Sequence, residues 1–138
     1  MYYKEILVTP HFKFTEFGCK DGTAVPTHLW YNMRMLAGNL EALRGSLRSP
    51  IVINSAFRTS VYNKKVGGAT ASQHLSCNAV DINVKGHLPL TVFHRIITLM
   101  DMGIMEKGAV ILYDGFVHYD RRGHIVKIDN RQCKNCGQ

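Results

Sequence analysis

The 138-residue sequence contains no apolar run approaching the roughly 18–20 residues that a membrane-crossing helix needs, so no membrane segment is expected. Its opening, "MYYKEILVTPHFKF", lacks the basic start, apolar stretch and small-residue cleavage site of a secretory signal. The compartment is therefore unspecified, and work outside a cell is expected to need a virion, lysis or another export route. Internal repeats and low-complexity segments are absent. With 46% apolar and 20% charged residues the chain is ordinary globular material, not a disordered one. A second CxxC is also missing: of Cys19, Cys77, Cys133 and Cys136 only the last two form one, which excludes a four-thiolate zinc site. That C-terminal pair reads either as free or locally bridged thiols in a tail, or as half a zinc knuckle completed by a distant histidine. Acidic residues are scarce, 10 against 17 basic ones, giving a net charge of +7. Such a balance favours a polyanionic partner: nucleic acid, anionic lipid or an acidic cell-wall polymer. The densest basic clusters are only the pairs Lys64-Lys65 and Arg121-Arg122, so no nucleic-acid stripe is evident and no nucleic-acid partner is expected.

The length fits one compact domain over residues 1–138, with a tail from about 130 to 138. Between Thr27 and Leu47, the residues Leu29, Met33, Leu36, Leu40, Leu43 and Leu47 recur at steps of four and three, one buried helical stripe with Thr27 as N-cap and Ser49-Pro50 as the stop. "IVINSA" reads as a strand, followed by a short helix capped by Thr59 or Ser60 and ended by Gly67-Gly68. In "NAVDINV" the alternation puts Val80, Ile82 and Val84 on one face and Asp81 and Asn83 on the other. "LPLTVFHRIITLMDMG" is a second amphipathic helix with Pro89 in its first turn and Gly103 as its stop. "AVILY", "FVHYD" and "HIVKID" read as three strands of a meander, turning at Asp114-Gly115 and at Arg121-Arg122-Gly123. Helices come early and strands cluster late, so the expected class is α+β with a mainly antiparallel sheet and helices packed on one side.

The period of two places Phe116, His118 and Asp120 on one face of "FVHYD". Asp81 points to the polar face of its own strand. Two strands of one sheet can thus present Asp81 and His118 side by side, with His74 entering from the preceding loop. Two imidazoles and a carboxylate suit zinc, and three protein ligands leave a fourth position for water, the mark of a catalytic site. On spacing alone the alternative stands, an ordinary polar loop running into an ordinary strand. His11, His28, His87, His94 and His124 read as surface or hydrogen-bonded residues.

"INSAFRTSVYNKKVGGATASQHLSCNAVDI" followed by "YDGFVHYD" resembles the zinc D-Ala-D-Ala peptidases of the M15 class. The elements that carry the resemblance are Ser55 with Arg58, Asn63 through Ala69, Ser72 with His74, Ala79 with Asp81, and His118 with Asp120. They span residues 53–120, in order and at family-like spacing. The segment "FTEFGCKDGTAVP" is similar to short phage or bacterial single-domain members. The resemblance implies the fold shared with the Hedgehog signalling domain, one Zn²⁺ per chain on His74, Asp81 and His118, and a peptidoglycan stem peptide cut at or near D-alanine. It also implies that Arg58 binds a substrate carboxylate or the polarised carbonyl oxygen, and that Ser72 bonds the terminal carboxylate or nearby backbone. A monomer is expected.

Two positions depart from the family pattern. Cys77 stands where the family has a glycine, and can pack as a small buried residue or bring a thiolate near the metal. Gly115 stands where several relatives place a carboxylate, three residues before the second zinc histidine. The candidates for general base are then Asp120, which could instead orient a ligand, and Asp114, with Glu106 further off. An inactive binding or signalling module of the same fold is the competing reading.

Overall fold

A computed structural model of the chain describes residues 6–132. The tail pair Cys133 and Cys136 lies outside the described residues. Strands β1 (Leu7–Thr9) and β2 (Phe12–Lys13) form a small antiparallel hairpin that the sequence did not reveal. It is followed by a 3-10 turn, Phe14–Phe17, and Phe12 and Phe17 are wholly buried. Helix α1 (Trp30–Leu47) then buries Met33, Leu36, Leu40, Leu43 and Leu47 as its spacing requires. It starts later than expected, because Thr27 opens a separate 3-10 turn, Thr27–Leu29, behind Pro26. The helix ends at Arg48 in the left-handed conformation, and Pro50, with no N–H to give, precedes the next strand.

The main sheet has five strands: β3 (Ile51–Ser55), β4 (Ala79–Val84), β5 (Ala109–Leu112), β6 (Val117–Asp120) and β7 (Val126–Asp129). Their order is β3-β4-β6-β5-β7. The pairs β3/β4, β4/β6 and β5/β6 are antiparallel, whereas β5/β7 is parallel, so the sheet is mixed and the fold α+β. The expected meander therefore holds only for β5 and β6. Strand β6 already has β4 on one edge and β5 on the other, which leaves β7 no edge of β6 to join; it crosses to the free edge of β5.

Helix α3 (Pro89–Asp101) packs on β4, β5 and β6, and α1 packs against α3 and β1. The side chains of Val80, Ile82, Val84, Val110, Leu112, Val117 and Tyr119 join both helices in one core. These are alternate residues of their strands, so one face of the sheet is given to the long helices. Asp81, His118 and Asp120 consequently lie on the opposite face. Beside them run the short helix α2 (Ser60–Lys65), capped by Thr59, and the 3-10 turn Gln73–Ser76. Among the described residues no helix is long and apolar enough to cross a membrane.

Candidate metal centre

The register of the two interior strands builds half of the site. Asp81 on β4 is directly opposite His118 on β6, and Ala79 is opposite Asp120. Directly opposed residues of an antiparallel pair carry their side chains to the same face about 5 Å apart, so an alanine facing Asp120 leaves that carboxylate free to turn along its own strand towards His118. A bulge in β3 between Ile53 and Ser55 brings Ser55 opposite Asp81 and redirects the chain that carries Arg58.

His74 comes from the turn that Ser72 caps: Ser72 Oγ accepts the His74 N–H at 3.2 Å. The turn is held against the strand-end loop by Arg58 N–H donating to the His74 carbonyl at 3.0 Å. The turn ends at Cys77, a non-glycine residue with φ of 56° and a side chain with no exposure. Burial pushes its thiol up to about 12, and its sulfur packs in the core instead of joining the group of metal-ligating side chains.

His74, Asp81 and His118 each offer one donor atom, and the three atoms lie within 4.8 Å of one another. Asp81 Oδ1 is 3.0 Å from His118 Nδ1 and 3.4 Å from His74 Nε2. Tetrahedral zinc with bonds near 2.0–2.1 Å requires donors about 3.3 Å apart, so the spacing fits the ion. The tautomers fit as well. His74 Nδ1 donates to the Ala56 carbonyl at 2.6 Å, which leaves the Nε2 lone pair facing the site. His118 Nε2 donates to Asp120 Oδ2 at 2.8 Å, which fixes Nδ1 as its donor atom.

The electrostatics follow from the same contacts. Burial pushes the Asp81 carboxyl up, but hydrogen bonds from His118 and His74 outweigh it and hold Asp81 well below the usual carboxylate range. Burial alone would lower His118; its bonds to Asp120 and Asp81 prevail and raise it above 6.5. The imidazole is thus held between two carboxylates that favour its charged form, and a divalent ion bound there would be held by Nδ1 in place of its proton. Asp120 is wholly buried. Its oxygens also accept from the Ala109 N–H (3.1 Å) and from Arg122 Nε (2.9 Å) and Nη2 (2.7 Å).

A cleft of about 490 Å³ opens over this cluster, lined among others by Arg58, Ser72, His74, Asp81, His118 and Arg122. A family profile described as Peptidase M15 matches residues 10–120, from the β1–β2 turn to Asp120. The chain belongs to the peptidase M15 family. No curated protein matches it. The M15 family is one of metallopeptidases and is in general zinc-dependent.

Within the M15 chain the other expected residues fall in distinct places. Arg58 donates from Nε to Ser55 Oγ, from Nη1 to Asn63 Oδ1 and from Nη2 to Asp81 Oδ2, at 3.2, 3.2 and 3.3 Å. Asp114 is exposed on the β5–β6 turn, accepting the Gln132 N–H, and neither it nor Asp120 lines the cleft. Glu106 is paired with Arg121. His11 is bonded to Glu41 and His87 to Ser49. Among the described residues, the triad is the sole grouping of three or more such ligands. Sequence reasoning gave no role to Asn63 or Arg122. Buried Asn63 links Arg58 to the Ala69 carbonyl of the cleft wall, and its place in the "NKKVGGA" motif was the available signal.

Proposed function

We propose that the chain hydrolyses peptidoglycan stem peptides at or next to D-alanine, as a D,D-carboxypeptidase or a cross-link endopeptidase, on the fold shared with Hedgehog signalling domains. The observation that carries this reading is the convergence of three donor atoms under a cleft, each imidazole already fixed by a bond on its outer nitrogen. Zinc held there would supply the Lewis acidity that polarises an amide carbonyl and acidifies water to a pKa near 7. The chain's own part is division of labour. His74, Asp81 and His118 hold the ion; Asp120 keeps a proton on His118 Nε2, and the Ala56 carbonyl keeps one on His74 Nδ1. Arg58 lies beside Asp81, where its guanidinium faces the developing oxyanion. Ser72, on the cleft wall, bonds the substrate backbone or its terminal carboxylate. Of the two general-base candidates, Asp120 touches the triad through His118 Nε2 and acts by positioning, while Asp114 stands outside the cleft and takes no part in proton transfer. The basic charge supports an anionic wall as the target.

One observation favours a non-hydrolytic module instead: among the described residues, Asp81 is the one carboxylate lining the cleft. The same experiment separates the readings. Zinc content is measured for wild type and His118→Ala, with D-alanine release and digestion of cross-linked muropeptides on the same samples. One zinc per wild-type chain, lost together with hydrolysis in the variant, supports the peptidase. Zinc without hydrolysis supports the module, and no zinc after reconstitution removes the site.

A further inference from the structure

The cleft holds two arginines, and their hydrogen-bonding capacity is not equally spent. Every guanidinium nitrogen of Arg58 already has a protein partner, and its side chain is only 15% exposed. Arg122 stands just past Asp120 at the end of β6 and is 33% exposed. It clamps Asp120 along one edge, through Nε and Nη2. A guanidinium carries five N–H groups in fixed directions. The clamp uses two of them along the Nε–Nη2 edge and leaves the outer Nη1–Nη2 edge, a second fork of parallel donors. Nη1 has no partner among the described residues. No acid of the cleft competes for that fork, since Asp81 is engaged by His74, His118 and Arg58. The adjacent Arg121 offers a contrast, because Glu106, Asn78 and Asn32 take all three of its nitrogens.

We propose that Arg122 is the specificity-determining residue of this cleft, reading a carboxylate of the substrate through its Nη1–Nη2 edge while Asp120 holds the guanidinium plane still. The inference rests on the reading of the cleft as a peptide site. It names the substrate class within it: peptides bearing a free carboxylate close to the bond over the triad, as opposed to chains that continue uncharged. An arginine presented as a rigid, pre-organised fork recognises carboxylate geometry bidentately, which a lysine cannot do.

The test uses ligands that cannot be cut. The reduced-amide analogue of N-acetyl-D-alanyl-D-alanine, as the free acid and as the C-terminal carboxamide, is titrated calorimetrically into zinc-loaded wild type, Arg122→Gln and Arg122→Lys. Metal analysis confirms equal loading. Wild type is expected to bind the acid roughly tenfold or more tightly than the amide, as one charge-assisted bidentate pair implies. Arg122→Gln brings that ratio close to one and leaves the amide's affinity essentially unchanged; Arg122→Lys falls between. A role confined to positioning Asp120 and His118 would weaken acid and amide alike, and that result overturns the proposal. So does a wild type that shows no preference for the acid, absence of binding included. If Arg122→Gln fails to fold or to load zinc, a ratio in Arg122→Lys equal to that of wild type is the overturning result. Hydrolysis is not read here, so failure to digest muropeptides would tell against the peptidase and leave this result standing.

Discussion

Replacing Gly108 by alanine would drive a methyl group into the backbone of β6. A Cβ built at Gly108 lies 1.6 Å from the Asp120 carbonyl oxygen, 2.6 Å from its carbon and 3.1 Å from Arg121 Cα. None of these is a side-chain end that can swing away. They belong to an interior strand, and Gly108 is itself pinned by the Val126 N–H bonded to its carbonyl. Overpacking a well-filled interior typically costs about 1–3 kcal/mol. A clash this close with backbone belongs at or above the top of that range, so a loss of about 3 kcal/mol is expected. For a domain of this size that is a fall in Tm of about 10 °C. Gly115→Ala, on the turn between β5 and β6, is the matched control: its Cβ meets nothing within 4 Å, and a change below about 0.5 kcal/mol is expected. Both are measured by urea denaturation and by calorimetry on metal-free protein. Separating β5 from β6 also withdraws the Ala109 N–H from Asp120, so zinc affinity should fall with stability in the first variant alone. A Gly108→Ala protein within about 1 kcal/mol of wild type would refute the packing argument.

Asp120→Asn keeps the shape but loses the charge that holds His118 and Arg122, and zinc affinity by competitive chelation should weaken about 10–100-fold; an unchanged affinity would deny Asp120 its positioning role. Gly68→Ala places a Cβ 2.0 Å from Asn63 Oδ1 and 3.1 Å from Arg58 Nη1, so the arginine is displaced. Hydrolysis is then expected to fall about 100-fold at full zinc occupancy, the scale of losing one transition-state donor; normal turnover would show that Arg58 need not be held there. Asp114→Asn should leave kcat and zinc content unchanged, since Asp114 does not line the cleft, and a lowered kcat would bring it into proton transfer. The metal-free protein should also lose stability as pH rises above 6.5, because the raised pKa of His118 contributes stability that is complete below the unfolded value and disappears through the folded one. Asp81 and Asp120, both depressed, contribute above about 3.8 and lose it only in acid. A metal-free Tm that climbs between pH 6 and pH 8 would contradict the clamp on His118.

What the sequence disclosed followed short-range rules. The three-and-four spacing of α1 and the alternation of β4 and β6 come from backbone geometry, and they sufficed to put Asp81 and His118 on one face. The N-terminal hairpin escaped because β1 and β2 have three and two residues, too few for a period to show. The place of β7 depends on which sheet edges other strands have already taken, information that its own residues do not carry. The carboxylates near the site were visible, but their separate duties were not. Asp120 is turned inward by partners from β5 and from the bend after β6, and Asp114 outward by Gln132. Cys77 shows the opposite limit: its glycine-like backbone was foreseeable from the motif position, whereas its neutral state depends on burial that only the fold supplies.

The two halves of the triad have different mechanical backing. Asp81 and His118 belong to neighbouring interior strands, the last places in such a fold to exchange their amide hydrogens. His74 rides on a one-turn helix behind the Gly67-Gly68 segment, fastened by a few loop contacts. An ion shared by the three is therefore a rivet between a stiff plate and a hinged flap. Most of what it immobilises is the flap, so metal should reveal itself less in the melting of the sheet than in the resistance of residues 66–73 to nicking by a protease.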